Sequence, residues 1–156
     1  MDLADEVVID APRDQVYAAL NDPDILRQSI PGCEELEQTA DDEFAAKVVL
    51  KIGPVKARFA GNVKLNREGA PEHFTLRGEG NGGTAGFAKG GADVTLEETT
   101  PEQTTLRYAA HVDIGGKLAQ LGSRLVQSTA KKLSAKFFDN FAKTFGTEVH
   151  SETPAE

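Results

Sequence analysis

The run GEGNGG, Gly78 to Gly83, fits G-x-G-x-x-G, the spacing of a turn that cradles a dinucleotide pyrophosphate. It opens a longer stretch, GEGNGGTAGFAKGGAD, in which seven of sixteen residues are glycine. Nucleotide chemistry needs a strand, the glycine turn and then a helix whose N-terminus carries the phosphates. HFTLR supplies a strand, but TAGFAKGGADVTLEE reads as a turn and a second strand. There is no room for a crossover helix and no acidic residue in a following parallel strand. Lys117 follows two glycines but lacks the G-x-x-x-x-G-K-[ST] frame of a phosphate loop. The run therefore predicts a glycine-rich hairpin. Gly78 and Gly80 continue the face of Phe74 and Leu76, and missing side chains there leave volume that a ligand can fill.

The other reactive residue types are sparse. His73 and His111 fall on the outward register of strands, and His150 lies in the tail. That placement predicts no metal site. Cys33, in PGCE, is the one cysteine and has no evident histidine partner, so it reads as inert packing. Glu34-Glu35 and Asp41-Asp42-Glu43 read as solvated turn residues. Lys131, Lys132, Lys136 and Lys143 form a basic helix face, either simply solvated or a surface for acidic lipid or a partner. Phe137, Phe138, Phe141 and Phe145 are four of the eight phenylalanines; they read as core, with the option that some line a cavity or face a membrane.

Composition bounds the possibilities. A chain of 156 residues with 39% hydrophobic and 27% charged residues predicts one globular domain. The net charge of −8 argues against a nucleic-acid partner. It also means that any contact with anionic lipid must come from a local basic or apolar patch. One cysteine allows no disulfide framework and makes the cytosol the default compartment. MDLADEVVIDAP has no apolar leader core, and no stretch approaches the length of a membrane span.

The elements that must position these residues follow from periodicity. DEVVID begins as a strand with Val7 and Ile9 on one face. Asp10 stands where it can cap a helix carrying Val16, Tyr17 and Leu20, with Pro12 near its first turn. PDILRQSI predicts a second short helix, stopped by Pro31-Gly32. A six-stranded antiparallel meander follows. Phe44, Ala46, Val48, Leu50 and Ile52 alternate with wetter residues, as do Val55, Ala57, Phe59, Gly61, Val63 and Leu65 after the Gly53-Pro54 turn. Phe74 and Leu76, then Ala92, Val94 and Leu96, then Leu106, Tyr108, Ala110, Val112 and Ile114 continue the inner face. Lys117 to Phe145 predicts one long helix. Its stripe of Leu118, Leu121, Leu125, Leu133, Phe137, Phe141 and Phe145 winds around the axis, so its two halves should bury different faces.

The fold class is α+β: a strand, two short helices, the meander and one long C-terminal helix. A sheet with one wet face needs apolar cover on the other, and the long helix is the large element available. A curved sheet gripping that helix leaves a space between them. The expected wall is Val48, Leu50, Phe59, Leu76 and Phe87 on the sheet, Leu26 and Ile30 near the mouth, and Leu118, Leu121 and Leu125 opposite. An enzyme here would need inward-facing acid and base groups, and Tyr108 is the main polar exception on an apolar face. Residues 1–146 form the expected domain and 147–156 an expected disordered tail.

The ordered set VIDAPRDQVYAALNDPDILRQSIPGCEELEQ, VKARFAGNVKL, GEG, GGADVTLEE and GGKLAQLGSRLV resembles the CoxG-like family, named for the G subunit of carbon monoxide dehydrogenase, within the START-like, Bet v 1-like (SRPBCC) superfamily. IPGCE with GKLAQLGSRL is the more specific part; APRDQVYAALNDP alone marks the superfamily. The resemblance runs from about Val7 to Phe145. It implies a helix-grip fold of about seven strands around an apolar cavity. It implies a non-catalytic partner of a molybdenum hydroxylase of the carbon monoxide dehydrogenase type, associated peripherally with the cytoplasmic face of the membrane. A quinone such as menaquinone fits such a cavity. The rival readings are an assembly factor that binds the hydroxylase without a small molecule, and a small START-like enzyme, a cyclase or hydrolase. Many members carry a C-terminal linker and an apolar anchor; the residues here end at GTEVHSETPAE without one.

Overall fold

Alternation sets the sheet. The computed structural model describes residues 1–146, so the expected tail 147–156 and His150 lie outside the described residues. The strands are β1 (Asp2–Ile9), β2 (Cys33–Ala40), β3 (Glu43–Ile52), β4 (Val55–Asn66), β5 (His73–Asn81), β6 (Phe87–Thr100) and β7 (Gln103–Gly115). They form one antiparallel sheet in the order β1-β7-β6-β5-β4-β3-β2. The meander thus runs from β2 to β7, and β1 pairs with the last strand. Its remaining member, β2, is CEELEQTA, whose residues show no clean alternation of burial.

Between β1 and β2 lie α1 (Arg13–Leu20) and α2 (Pro23–Ser29). The residue at the N-cap of α1 is Pro12, which makes no side-chain cap. The N-cap position is thus Pro12 and not Asp10. The Asp10 carboxylate accepts from the Gln103 amide at 2.8 Å and ties β1 to β7. Asp22 does cap α2, accepting from the backbone N–H of Asp24 and Ile25.

The C-terminal segment is not one helix. It divides into α3 (Lys117–Gln120) and α4 (Ser123–Lys143). Gly122 between them has φ +93°, a conformation that ends a right-handed helix and that glycine adopts without a Cβ clash. The two halves nevertheless bury different faces, as the winding stripe requires. Leu118 and Leu121 join a small cluster with Ile52, Phe59 and Ala85. Phe137, Phe138, Phe141 and Phe145 join the main core with Ile9, Val16, Phe44, Phe74, Leu96 and Leu106. Phe137 stacks on Phe141 and meets Phe138 edge-on, so these rings are packed core.

Candidate functional site

The glycine run is a hairpin. Gly83–Ala85 make a single 3-10 turn between β5 and β6, and no helix follows. The register then aligns the inward residues in rows across the sheet. One row is Ala46, Gly61, Gly80, Ala88 and Ile114. The next is Phe44, Val63, Gly78, Gly90 and Val112, and the third is Leu65, Leu76, Ala92 and Ala110. Across the middle of the sheet the groups facing α4 are largely hydrogen and methyl.

Bulk is concentrated on either side of that strip, in the main core toward α1 and in the small cluster around Phe59 and Leu118. Between them the interior is open. A Cβ placed on Gly80 would meet no atom within 4 Å. Val48, Leu50, Leu76, Val112 and Ile114 face inward yet stay only partly buried. Ile9, Leu96 and Leu106, at the α1 end, are 0%, 1% and 1% exposed. Inward side chains that water still reaches border a space connected to solvent. Gly90 serves differently. A Cβ there would collide with the His111 carbonyl oxygen, so glycine permits the close approach of β7.

The wall is apolar. Tyr108 turns inward but stacks on Phe138, with ring centres 5.6 Å apart and planes at 25°. The histidines of the strands sit outside. His73 lies 3.7 Å from Asp93. His111 is held between Asp2 and Asp113 at 2.8 and 3.1 Å. Hydrogen bonds to these carboxylates raise the His111 pKa, and the bond with His111 lowers that of Asp2. Cys33 Sγ donates to the Glu35 carbonyl at 3.3 Å, and burial pushes its thiol pKa up, away from a reactive thiolate. A depression of about 820 Å³ lies on the opposite, outer face of the sheet, lined by Lys64, Arg77, Glu79, Lys89, Asp93 and His111 among others. Its charged lining does not suit an apolar molecule. No group of three metal-ligating side chains forms among the described residues.

The predicted wall is partly assembled. Phe59 and Leu118 are buried together, with Leu50 and Leu121 packed on them. Val48 faces the same way beside Phe59. Leu26 and Leu76 pack on the main core instead, toward the α1 end. Ile30 follows α2, and the adjoining Gly32 carbonyl accepts from Val49 N–H, which seats this loop against β3. Two residues are misplaced by the sequence reading. Phe87 is 48% exposed on the outer face: β6 begins at Phe87, and even-numbered Val94 and Leu96 point in, so the odd position points out. Leu125 is 36% exposed at the rim beside Gly53, because the break at Gly122 resets the helix and turns Val126 inward. Ile114, packed on the Phe59–Leu118 cluster, is absent from the expected wall, and the buried Val126 is absent from the expected helix stripe. Parity from Tyr108 through Val112 identifies Ile114; nothing in the stripe identifies Val126.

Solved structures share this architecture. A conserved protein from Geobacillus kaustophilus is 28% identical, with 96% of this chain and 98% of that one covered and a TM-score of 0.87. A START superfamily protein from Mycobacterium smegmatis is 13% identical, with coverage of 92% and 98% and a TM-score of 0.65. The Zhui aromatase/cyclase from Streptomyces sp. R1128 is 11% identical, with 92% of each chain covered and a TM-score of 0.67. The last two establish the START-like helix-grip fold and no more. No curated protein matches. The model of the CoxG family, described as the G subunit of carbon monoxide dehydrogenase, matches residues 6–146. With nearly the whole domain matched and the curved sheet, two short helices and C-terminal helix in place, the chain belongs to the CoxG family.

Proposed function

We propose that this protein is a non-catalytic accessory of a carbon monoxide dehydrogenase-type molybdenum hydroxylase. It holds a long apolar ligand, a quinone such as menaquinone, between the sheet and α4. It couples the enzyme to the quinone pool from the cytoplasmic face of the membrane. One observation carries the reading: the open strip over Gly80 is flanked by partly buried apolar side chains. Val48, Leu50, Phe59, Leu118, Leu121 and Ile114 would hold the ligand, since they surround one end of that strip. The family name supports the enzyme partner. Burying isoprenoid surface contributes roughly 25 cal/mol per Å² before ordering costs.

Native mass spectrometry of the purified protein, with organic extraction, tests this. The expected result is a co-purifying or added menaquinone at one per chain, lost in Leu121→Arg while the fold persists by circular dichroism. A protein that is empty and does not take up added menaquinone overturns the quinone reading and favours a protein-only assembly factor.

A further inference from the structure

The charge of this chain is divided by the ends of its sheet. In a meander, successive turns alternate between two ends. The β2–β3, β4–β5 and β6–β7 connections share the end occupied by α1. They carry Asp41, Asp42, Glu68, Glu72 and Glu102. The other end holds the β3–β4 turn, the Gly83–Ala85 turn, α3 and the start of α4. There α3 touches the 3-10 turn, β7 and α4, while a Cβ on Gly53 would lie 2.8 Å from Leu125. The segments that build this end, 49–58, 81–88 and 114–126, contain no Asp or Glu, and the nearby β2 carboxylates Glu34 and Glu35 are paired with Arg58 and Lys47.

The second end displays Lys51, Lys56, Lys117 and Arg124, and none of the four has an ion-pair partner among the described residues. Lys51 and Lys56 are directly opposite across β3 and β4, a like-charge pair that raises the energy of the isolated sheet. The two exposed large apolar side chains, Phe87 at 48% and Leu125 at 36%, belong to the same end. Unpaired cations around exposed apolar groups match an anionic lipid surface: headgroup phosphates relieve the Lys51–Lys56 repulsion, and the apolar groups enter the interface.

We propose that this end docks on an anionic bilayer, with Phe87 and Leu125 in the interfacial region. The net charge of −8 would otherwise repel the molecule, and the acidic end turns it so that the basic end leads. The proposal extends the membrane-coupling reading above and supplies its contact surface. Leu121 and Leu125 lie at the rim of the space over the sheet, so an apolar ligand can pass between that space and the bilayer beside the docked face.

Vesicle flotation of the full chain tests it, with quinone-free phosphatidylcholine vesicles and with vesicles containing one-quarter phosphatidylglycerol. Binding is expected on the anionic vesicles only, and it weakens with added salt. Each cation removed should cost roughly fivefold in affinity, hence about a hundredfold for Lys51→Gln, Lys56→Gln and Arg124→Gln together. Phe87→Ser should weaken binding with the salt dependence unchanged. The outer-face control Lys64→Gln, Arg77→Gln should leave binding within about twofold, with equal melting curves for all variants. No binding to anionic vesicles, or equal losses in the triple variant and the control, overturns the proposal. Saturable binding to poly-glutamate but not to vesicles also overturns it, in favour of an acidic protein partner. Because the vesicles hold no quinone, failure here is separate from failure of ligand binding.

Discussion

Gly80 and Gly90 show how one residue type serves two ends within a single hairpin. Above Gly80 there is room, whereas beside Gly90 the His111 carbonyl occupies the place of a side chain. Gly80→Ala should therefore be neutral or stabilise by about 0.5–1 kcal/mol, since alanine lowers the entropy cost of an extended backbone. Gly90→Ala should destabilise by roughly 1–3 kcal/mol, because the strands must shift apart. Urea unfolding of the two variants checks the contrast. Gly80→Leu should fold and yet reduce uptake of an apolar ligand, which separates the strip's role in shape from its role in stability. The glycine pattern alone suggests a nucleotide turn; only the segment after it, a strand rather than a helix, points to the hairpin.

At the scale of elements, legibility tracks how far a regular pattern runs. Phe44, Phe59, Leu65, Phe74, Val94, Leu96 and Leu106 alternate with wetter neighbours, and all seven are buried. Strand β2 eludes this reading because CEELEQTA buries little on either face. Phe87 is misread because the surrounding glycines carry no parity of their own and conceal where β6 begins. The helix break escapes notice because Leu118, Leu121 and Leu125 keep a helical spacing straight through Gly122, whose φ of +93° no hydrophobic pattern reports. Gly122→Ala should cost about 1 kcal/mol or more, as expected for a Cβ forced into the left-handed region. Phe141, wholly buried in the main core, sets the larger scale: Phe141→Ala should lose about 3–5 kcal/mol. Thermal unfolding read at one pH distinguishes the two.

For the whole molecule, the seam between β1 and β7 ties the N-terminal edge strand to the meander, and it titrates. His111 bonds to Asp2 across that seam and to Asp113 along its own strand. Its pKa is raised above 6.5 in the folded chain, so the protonated ring favours folding. That contribution is complete below the unfolded-state value and is lost as pH rises through the folded-state pKa. Amide exchange of Asp2–Ala4 should accordingly quicken on raising the pH through the neutral range beyond its intrinsic base dependence, and His111→Gln should remove the excess. The ring is exposed, so the effect belongs to the seam and not to global stability.

A sheet that wraps a helix without closing into a barrel keeps two free edges, β1 and β2. Each offers unpaired backbone groups to another chain, the arrangement from which sheets extend into oligomers and fibres. β2 carries Glu34, Glu35 and Glu37 with irregular pairing at both ends, and β1 carries Asp2, Asp5 and Glu6. Two copies approaching edge to edge would bring like charges together before a hydrogen bond formed. Acidic side chains along both edges thus oppose edge-to-edge pairing of the open sheet.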